Sequence, residues 1–184
     1  LKAYGSILAS QPQWAKPGSA FASQVFDIQE FLAQVGLSAS FQAALRPLAL
    51  PDGQAASSEQ PLKLAYHDAC HMLHGQGIRE QPRELLRAIP HVQLREALEA
   101  GVCCGSAGIY NLVQPQEAAE LGQRKASDLA ATGAHWVASA NIGCSLQLRQ
   151  HLGSAARPVP VAHPMQLLDW SFRGVVPPSA AKQS

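Results

Sequence analysis

The sequence predicts an α/β domain, with a mostly parallel sheet and flanking helices, preceded by a helical segment. Three observations predict it. From Leu62 onward, strand-like runs alternate with helical patterns, as in βα units. Before that point, apolar residues recur at three- and four-residue steps, as on one face of a helix. Apolar residues make up 47% of the 184 and charged residues 15%, enough for one ordinary domain with a real core.

The elements follow in order. Phe21, Val25, Ile28, Phe31, Leu32 and Val35 share one helical face, with Gly36 as the stop. A second short helix is expected after Ser38, ending near Pro47. Residues 1–50 are thus expected to be a helical segment. Pro51 to Pro61 (PDGQAASSEQP) reads as a linker by composition. Residues 62–176 carry the alternation. Leu62 to His67 is a strand, Gln81 to Ala88 a short helix and His91 to Arg95 a weaker strand. Pro115 to Ala131 is a helix, with Pro115 and Glu117 suiting its start and Gly133 its end. Lys125 interrupts its apolar stripe, so that face is imperfect or the lysine stem snorkels. His135 to Ala140 is a strand, Ser145 to Leu152 a helix, Pro158 to Ala162 a strand and Met165 to Phe172 a last helix. Residues 177–184 are expected to be a flexible tail.

Bulk properties exclude several classes. The formal net charge is +1, which leaves no footprint for nucleic acid or an anionic membrane. No run is long and apolar enough to span a bilayer; Phe41 to Leu50 is broken by Arg46 and Pro47. The first residues have no signal-peptide pattern. The chain starts at Leu1 rather than methionine, and a processed or truncated chain is expected. Four cysteines are too few for a disulfide scaffold of this size. Their clustering fits metal or redox chemistry in a reducing compartment.

Each cysteine group follows a predicted strand. Cys70 comes after the first, Cys103 and Cys104 after the second, Cys144 after the third. In an open parallel sheet the loops at the carboxyl ends of the strands converge on one rim, so distant positions can supply four thiolates to one place. Gly101, Gly105 and Gly108 flank the pair in GVCCGSAG. They allow tight turns and aim N–H groups at sulfur. Cys144 sits at a helix N-terminus, where the dipole favours a thiolate. Thiolates select iron–sulfur clusters, zinc or copper(I) over hard cations, and the adjacent pair favours iron–sulfur over zinc. A thiol enzyme is a further alternative, but it leaves Cys70 and Cys144 unexplained.

Other residues have plainer readings. His67 and His71 flank Cys70 as candidate supports of the centre, although such histidines are more often hydrogen-bonded at a strand end. Asp68 is expected to cap or turn the chain after the strand. Asn141 is expected to stabilise its turn through the backbone. Trp136 and Tyr110 read as core. Arg79, Arg83 and Arg87, at helical spacing, read as a solvated face.

Three segments carry a resemblance: YHDACH around Cys70, CCGSAGIYN from Cys103, and ANIGCSLQL around Cys144. Together they resemble the cysteine-rich CCG domain found in heterodisulfide reductase, lactate-utilisation proteins and the glycolate oxidase iron–sulfur subunit. The CCGSAGIYN and GC-x-x-QL forms are most similar to the last of these. The spacing fits, with 32 residues between Cys70 and Cys103 and 39 between Cys104 and Cys144. The resemblance implies a Rossmann-like domain with metal ligands at Cys70, Cys103, Cys104 and Cys144. It implies a [4Fe–4S] cluster, with zinc as the alternative, and His67, His71, Gly105 and Asn141 around it. It implies an electron-transfer subunit, with no substrate site of its own, serving flavin-bearing glycolate oxidase subunits and passing electrons to quinone or another membrane acceptor. The location implied is cytoplasmic, peripheral to the inner face of the membrane. Two departures stand out. Heterodisulfide reductase members carry a further cysteine where this chain has Gln147, which favours a four-cysteine cubane. The ferredoxin-type cysteine runs and a first CCG repeat are absent, so a fragment is expected.

Overall fold

The computed structural model of the chain describes residues 1–155 and 157–175. The tail expected at 177–184 lies outside the described residues. Two compact units divide between Gly36 and Leu37.

The first unit holds three helices, α1 (Tyr4–Ile7), α2 (Pro12–Ser23) and α3 (Ile28–Val35). The single amphipathic helix expected through Phe21 and Val35 is split. The cause is a capping box. The Asp27 carboxylate accepts the Gln29 N–H at 2.9 Å, and Glu30 accepts the Asp27 N–H at 3.2 Å. This arrangement starts a new helix at Ile28, so a local hydrogen-bonding device overrides a continuous apolar period. Within this unit Tyr4 meets Phe21 edge-on at 5.9 Å.

The second unit begins with α4 (Ala39–Ala44), capped by Ser38, whose hydroxyl accepts the Phe41 N–H at 3.2 Å. Four parallel strands follow: β1 (Leu62–His67), β2 (Val92–Arg95), β3 (Trp136–Ser139) and β4 (Val161–Ala162), in the spatial order β2-β1-β3-β4. This is the expected α/β class. Every residue of β3 and all but Lys63 of β1 are buried, as central strands covered on both faces require. β4 starts later than expected because Pro158 and Pro160 have no N–H to give a ladder.

The connecting helices are α5 (Cys70–Gln76), α6 (Glu80–Arg87), α7 (Tyr110–Val113), α8 (Pro115–Ala131), α9 (Ile142–Gly153) and α10 (Pro164–Arg173). α6 packs with α10, and α8 with α9. The chain runs to one side of β1 for β2 and to the other for β3 and β4, so right-handed crossovers set these two pairs on opposite faces of the sheet. Residues before the sheet close one end of this unit. Ser171 donates its hydroxyl to the Arg46 carbonyl at 2.7 Å, and Phe41 stacks on Phe172 at 4.9 Å. Residues 51–61 are irregular, with Ala56 buried. Trp136 is core, as expected, against Trp170 at 5.6 Å. Fully buried Leu64, Val137, Leu148 and Leu152 each contribute about 1.5–3 kcal/mol. No helix among the described residues is long and apolar enough to cross a membrane.

Candidate metal centre

The strand order explains where the cysteines go. β1 lies between β2 and β3, and the chain changes direction there. Such a switch point opens a crevice beyond the carboxyl ends of the strands. Cys70, Cys103 with Cys104, and Cys144 follow β1, β2 and β3 respectively, so three adjacent strands deliver them to one rim. Cys70 opens α5, a helix whose short HMLHG run shows no apolar period in the sequence; its signal is Gly77, left-handed at the C-cap with φ 68°. Cys144 lies in the first turn of α9. Asn141 caps that turn as expected, its side-chain oxygen accepting the Cys144 N–H at 3.2 Å.

All four thiols are free. Cys104 and Cys144 are buried and belong to the same apolar core as Val137, Leu148 and Leu152. Cys70 and Cys103 are half-buried. Cys104 Sγ, Cys144 Sγ and a ring nitrogen of His67 lie within 4.8 Å of one another. His67 is itself buried, and neither of its ring nitrogens meets a hydrogen-bond partner among the described residues. It is therefore not the hydrogen-bonded strand-end histidine that the sequence favours. His71 is exposed, on α5, and does not join this group.

The sulfurs act on one another. A hydrogen bond from the Cys144 thiol, against the cost of burial, brings Cys104 down to about 4, helped by His67 and the Ser106 N–H. The same bond, with burial and the charges of Cys104, Cys70 and Cys103, pushes Cys144 strongly up. Burial also raises Cys103. The Gly105 N–H, 3.4 Å from its sulfur, opposes this, and Cys104 and Cys70 add to it. Cys104 and Cys144 thus behave as a hydrogen-bonded sulfur pair, the bond favouring charge on Cys104 and opposing it on Cys144. Cys70 and Cys103 fall outside the group of atoms that lie within 4.8 Å of one another. Soft donors, a buried imidazole beside two sulfurs and N–H groups aimed at sulfur fit a soft metal centre.

Residues 64–149 match the family model described as CCG: Cysteine-rich domain. The chain carries a CCG cysteine-rich domain. It is 30% identical over 149 residues to the "Probable glycolate oxidase iron-sulfur subunit" of Bacillus subtilis, covering 81% of this chain and 30% of that protein. It is 22% identical over 178 residues to "Lactate utilization protein A" of Oceanobacillus iheyensis, covering 95% of this chain and 65% of that one. It is 32% identical over 112 residues to a subunit of the fumarate reductase (CoM/CoB) of Methanothermobacter marburgensis, covering 60% of this chain and 23% of the other. The chain thus spans under two thirds of the length of each of these three relatives.

The glycines of the CCG domain are not equivalent. Gly105 has φ 84°, and a Cβ there would lie 2.3 Å from the Ala118 carbonyl oxygen of α8. Gly108 has φ 64° but open space, and Gly101 has open space and no positive φ. Close approach is therefore a property of Gly105 alone in that loop. A Cβ on Gly143 would lie 2.6 Å from the Ser106 hydroxyl, so the loop carrying Cys104 packs close to the first turn of α9. Gln147 ties the same region together, its amide donating to the Ala118 carbonyl at 2.9 Å.

One part of the CCG domain's support reads differently in the sequence. Arg79 and Arg87 are exposed as expected, but Arg83 is buried. It grips Asp68 through two bonds of 2.9 and 2.7 Å and Glu96 through two of 2.9 and 2.8 Å. Its guanidinium lies 4.9 Å over the Tyr66 ring. Burial works against its charge, but the bonds to Glu96 and Asp68 prevail and hold it protonated. Asp68 is not a free turn residue. It anchors the segment between His67 and Cys70 to α6.

Proposed function

We propose that this CCG domain holds an iron–sulfur cluster on Cys70, Cys103, Cys104 and Cys144, and that it is an electron-transfer part of a flavin-linked complex oxidising glycolate or a related 2-hydroxy acid. What supports the reading is that four free cysteines follow three adjacent strands of one parallel sheet. The names of the relatives supply the redox context. The cluster, of [4Fe–4S] type, would accept and release single electrons. The chain's own residues hold it. The N–H groups of Gly105 and Ser106 donate toward sulfur, and Leu148 and Leu152 keep water from the inner side. The electrons would come from flavin-bearing subunits and leave toward quinone or another membrane acceptor. A cytoplasmic place, peripheral to the inner face of the membrane, suits that route. The substrate is handled elsewhere in the complex.

A zinc-holding structural module is the second reading. The observation favouring it is the His67, Cys104 and Cys144 trio within 4.8 Å, a nitrogen–sulfur set that suits one tetrahedral ion. Anaerobic purification with metal and sulfide analysis separates the two. A brown protein with about four irons and matching labile sulfide per chain supports the cluster; a colourless protein with zinc alone overturns it. Under the cluster reading, Cys144→Ser should lose nearly all its iron. Full iron retention in that variant would remove Cys144 from the ligand set.

A further inference from the structure

Lys125 lies in the inward stripe of α8 and is 1% exposed. It does not snorkel to water. Its ammonium donates to the Glu99 carbonyl and lies 3.4 Å from the Ala100 carbonyl. Asp128, three residues on, stands 3.9 Å from it and accepts the N–H groups of Leu98 and Glu99, each at 3.0 Å. Arg124, on the same helix, pairs with the Glu99 carboxylate. Three side chains of one helix thus grip residues 98–100, which two residues separate from the cysteine pair.

Arg124 and Asp128 bond the same turn. Burying an ammonium as well costs free energy, so its charge calls for a reason. Its hydrogen bonds go to neutral carbonyls, and Asp128 lies beyond hydrogen-bond distance. Burial lowers its pKa, while Asp128, Glu99, Asp68 and Cys104 raise it. The turn leading to the cysteine pair therefore carries a buried cation that no directly bonded carboxylate cancels. Arg83 differs, being bonded to carboxylates on two sides.

We propose that Lys125 is a positioning residue for the metal centre: it fixes the turn that leads into Cys103 and Cys104, and it keeps a buried positive charge beside that turn. The inference rests on the metal-centre reading above. An electron added to a cluster makes it more negative, and a nearby cation favours that reduced state.

The test uses the full chain, purified anaerobically, as wild type, Lys125→Met and Lys125→Arg. Metal release to a chelator and the midpoint potential are both measured. Lys125→Met should release metal about ten- to a hundredfold faster and have a more negative midpoint. Lys125→Arg should keep the midpoint of the wild type. Wild-type release and midpoint in Lys125→Met would overturn the proposal. So would equal midpoint shifts in both variants, because that pattern belongs to packing alone. If Lys125→Met does not fold, Lys125→Gln, which keeps a donor without the charge, takes its place in the same comparison. If the wild type carries zinc without iron, the electron-transfer reading fails separately. Release rates then decide Lys125: faster release from Lys125→Met than from Lys125→Arg supports it, and equal rates overturn it.

Discussion

Arg83→Met should cost about 3–5 kcal/mol of unfolding free energy, the loss expected when one member of a buried ion pair is removed. Both side chains of the Arg83–Asp68 pair are almost wholly buried, while Glu96 is half exposed. The penalty therefore falls on Asp68, which stays buried and loses two hydrogen bonds. Glu96 can turn to water. Urea unfolding near neutral pH reads the loss. The double variant Arg83→Met with Asp68→Asn should recover part of it, because the stranded carboxyl is gone. Arg83→Lys should not rescue, since a point charge cannot serve two carboxylates as a planar fork does. The pH dependence has a definite sign. The hydrogen bond from Arg83, against burial, holds the Glu96 carboxyl below its ordinary value. Its share of stability is then present above the unfolded-state pKa and is lost as pH falls through the folded one. The gap between wild type and Arg83→Met should narrow on acidification.

Gly105→Ala should lose about 2–6 kcal/mol, combining backbone strain at positive φ with overpacking. The obstacle is the Ala118 peptide, with its oxygen 2.3 Å and its carbonyl carbon 3.1 Å from the new methyl. A backbone atom inside a helix of 17 residues cannot swing aside as a side-chain tip can. Relief has to come from the loop, which displaces Cys104. Metal content should fall together with stability. Gly101→Ala is the control. It meets no atom within 4 Å and has no positive φ, so its effect should stay within about 0.5 kcal/mol. Thermal unfolding and metal analysis of the two variants check both statements.

Gly101 and Gly105 look alike in GVCCG, and the difference between them marks where sequence reasoning stops. Local chemistry was readable. Pro115 and Gly133 bracket α8, and Leu62 to His67 is β1 as expected. The rim was readable too, because strand ends in a parallel sheet must face one way. What lies across from a residue was not. Arg83 has the spacing of a solvent-facing row, and only the approach of Asp68 and Glu96 from other elements makes it internal. His67 reads as an ordinary strand-end imidazole until the sulfurs of Cys104 and Cys144 are placed beside it. Asp27 and Glu30 stand at capping-box spacing, a local signal for the split between α2 and α3.

The order β2-β1-β3-β4 also sets a timetable. During synthesis, Cys70 and the vicinal pair emerge well before Cys144, whose strand must still insert beside β1. A growing polypeptide therefore cannot assemble the complete sulfur set while β3 is inside the ribosome. Anything that needs all four sulfurs has to wait until β3 has emerged and paired with β1.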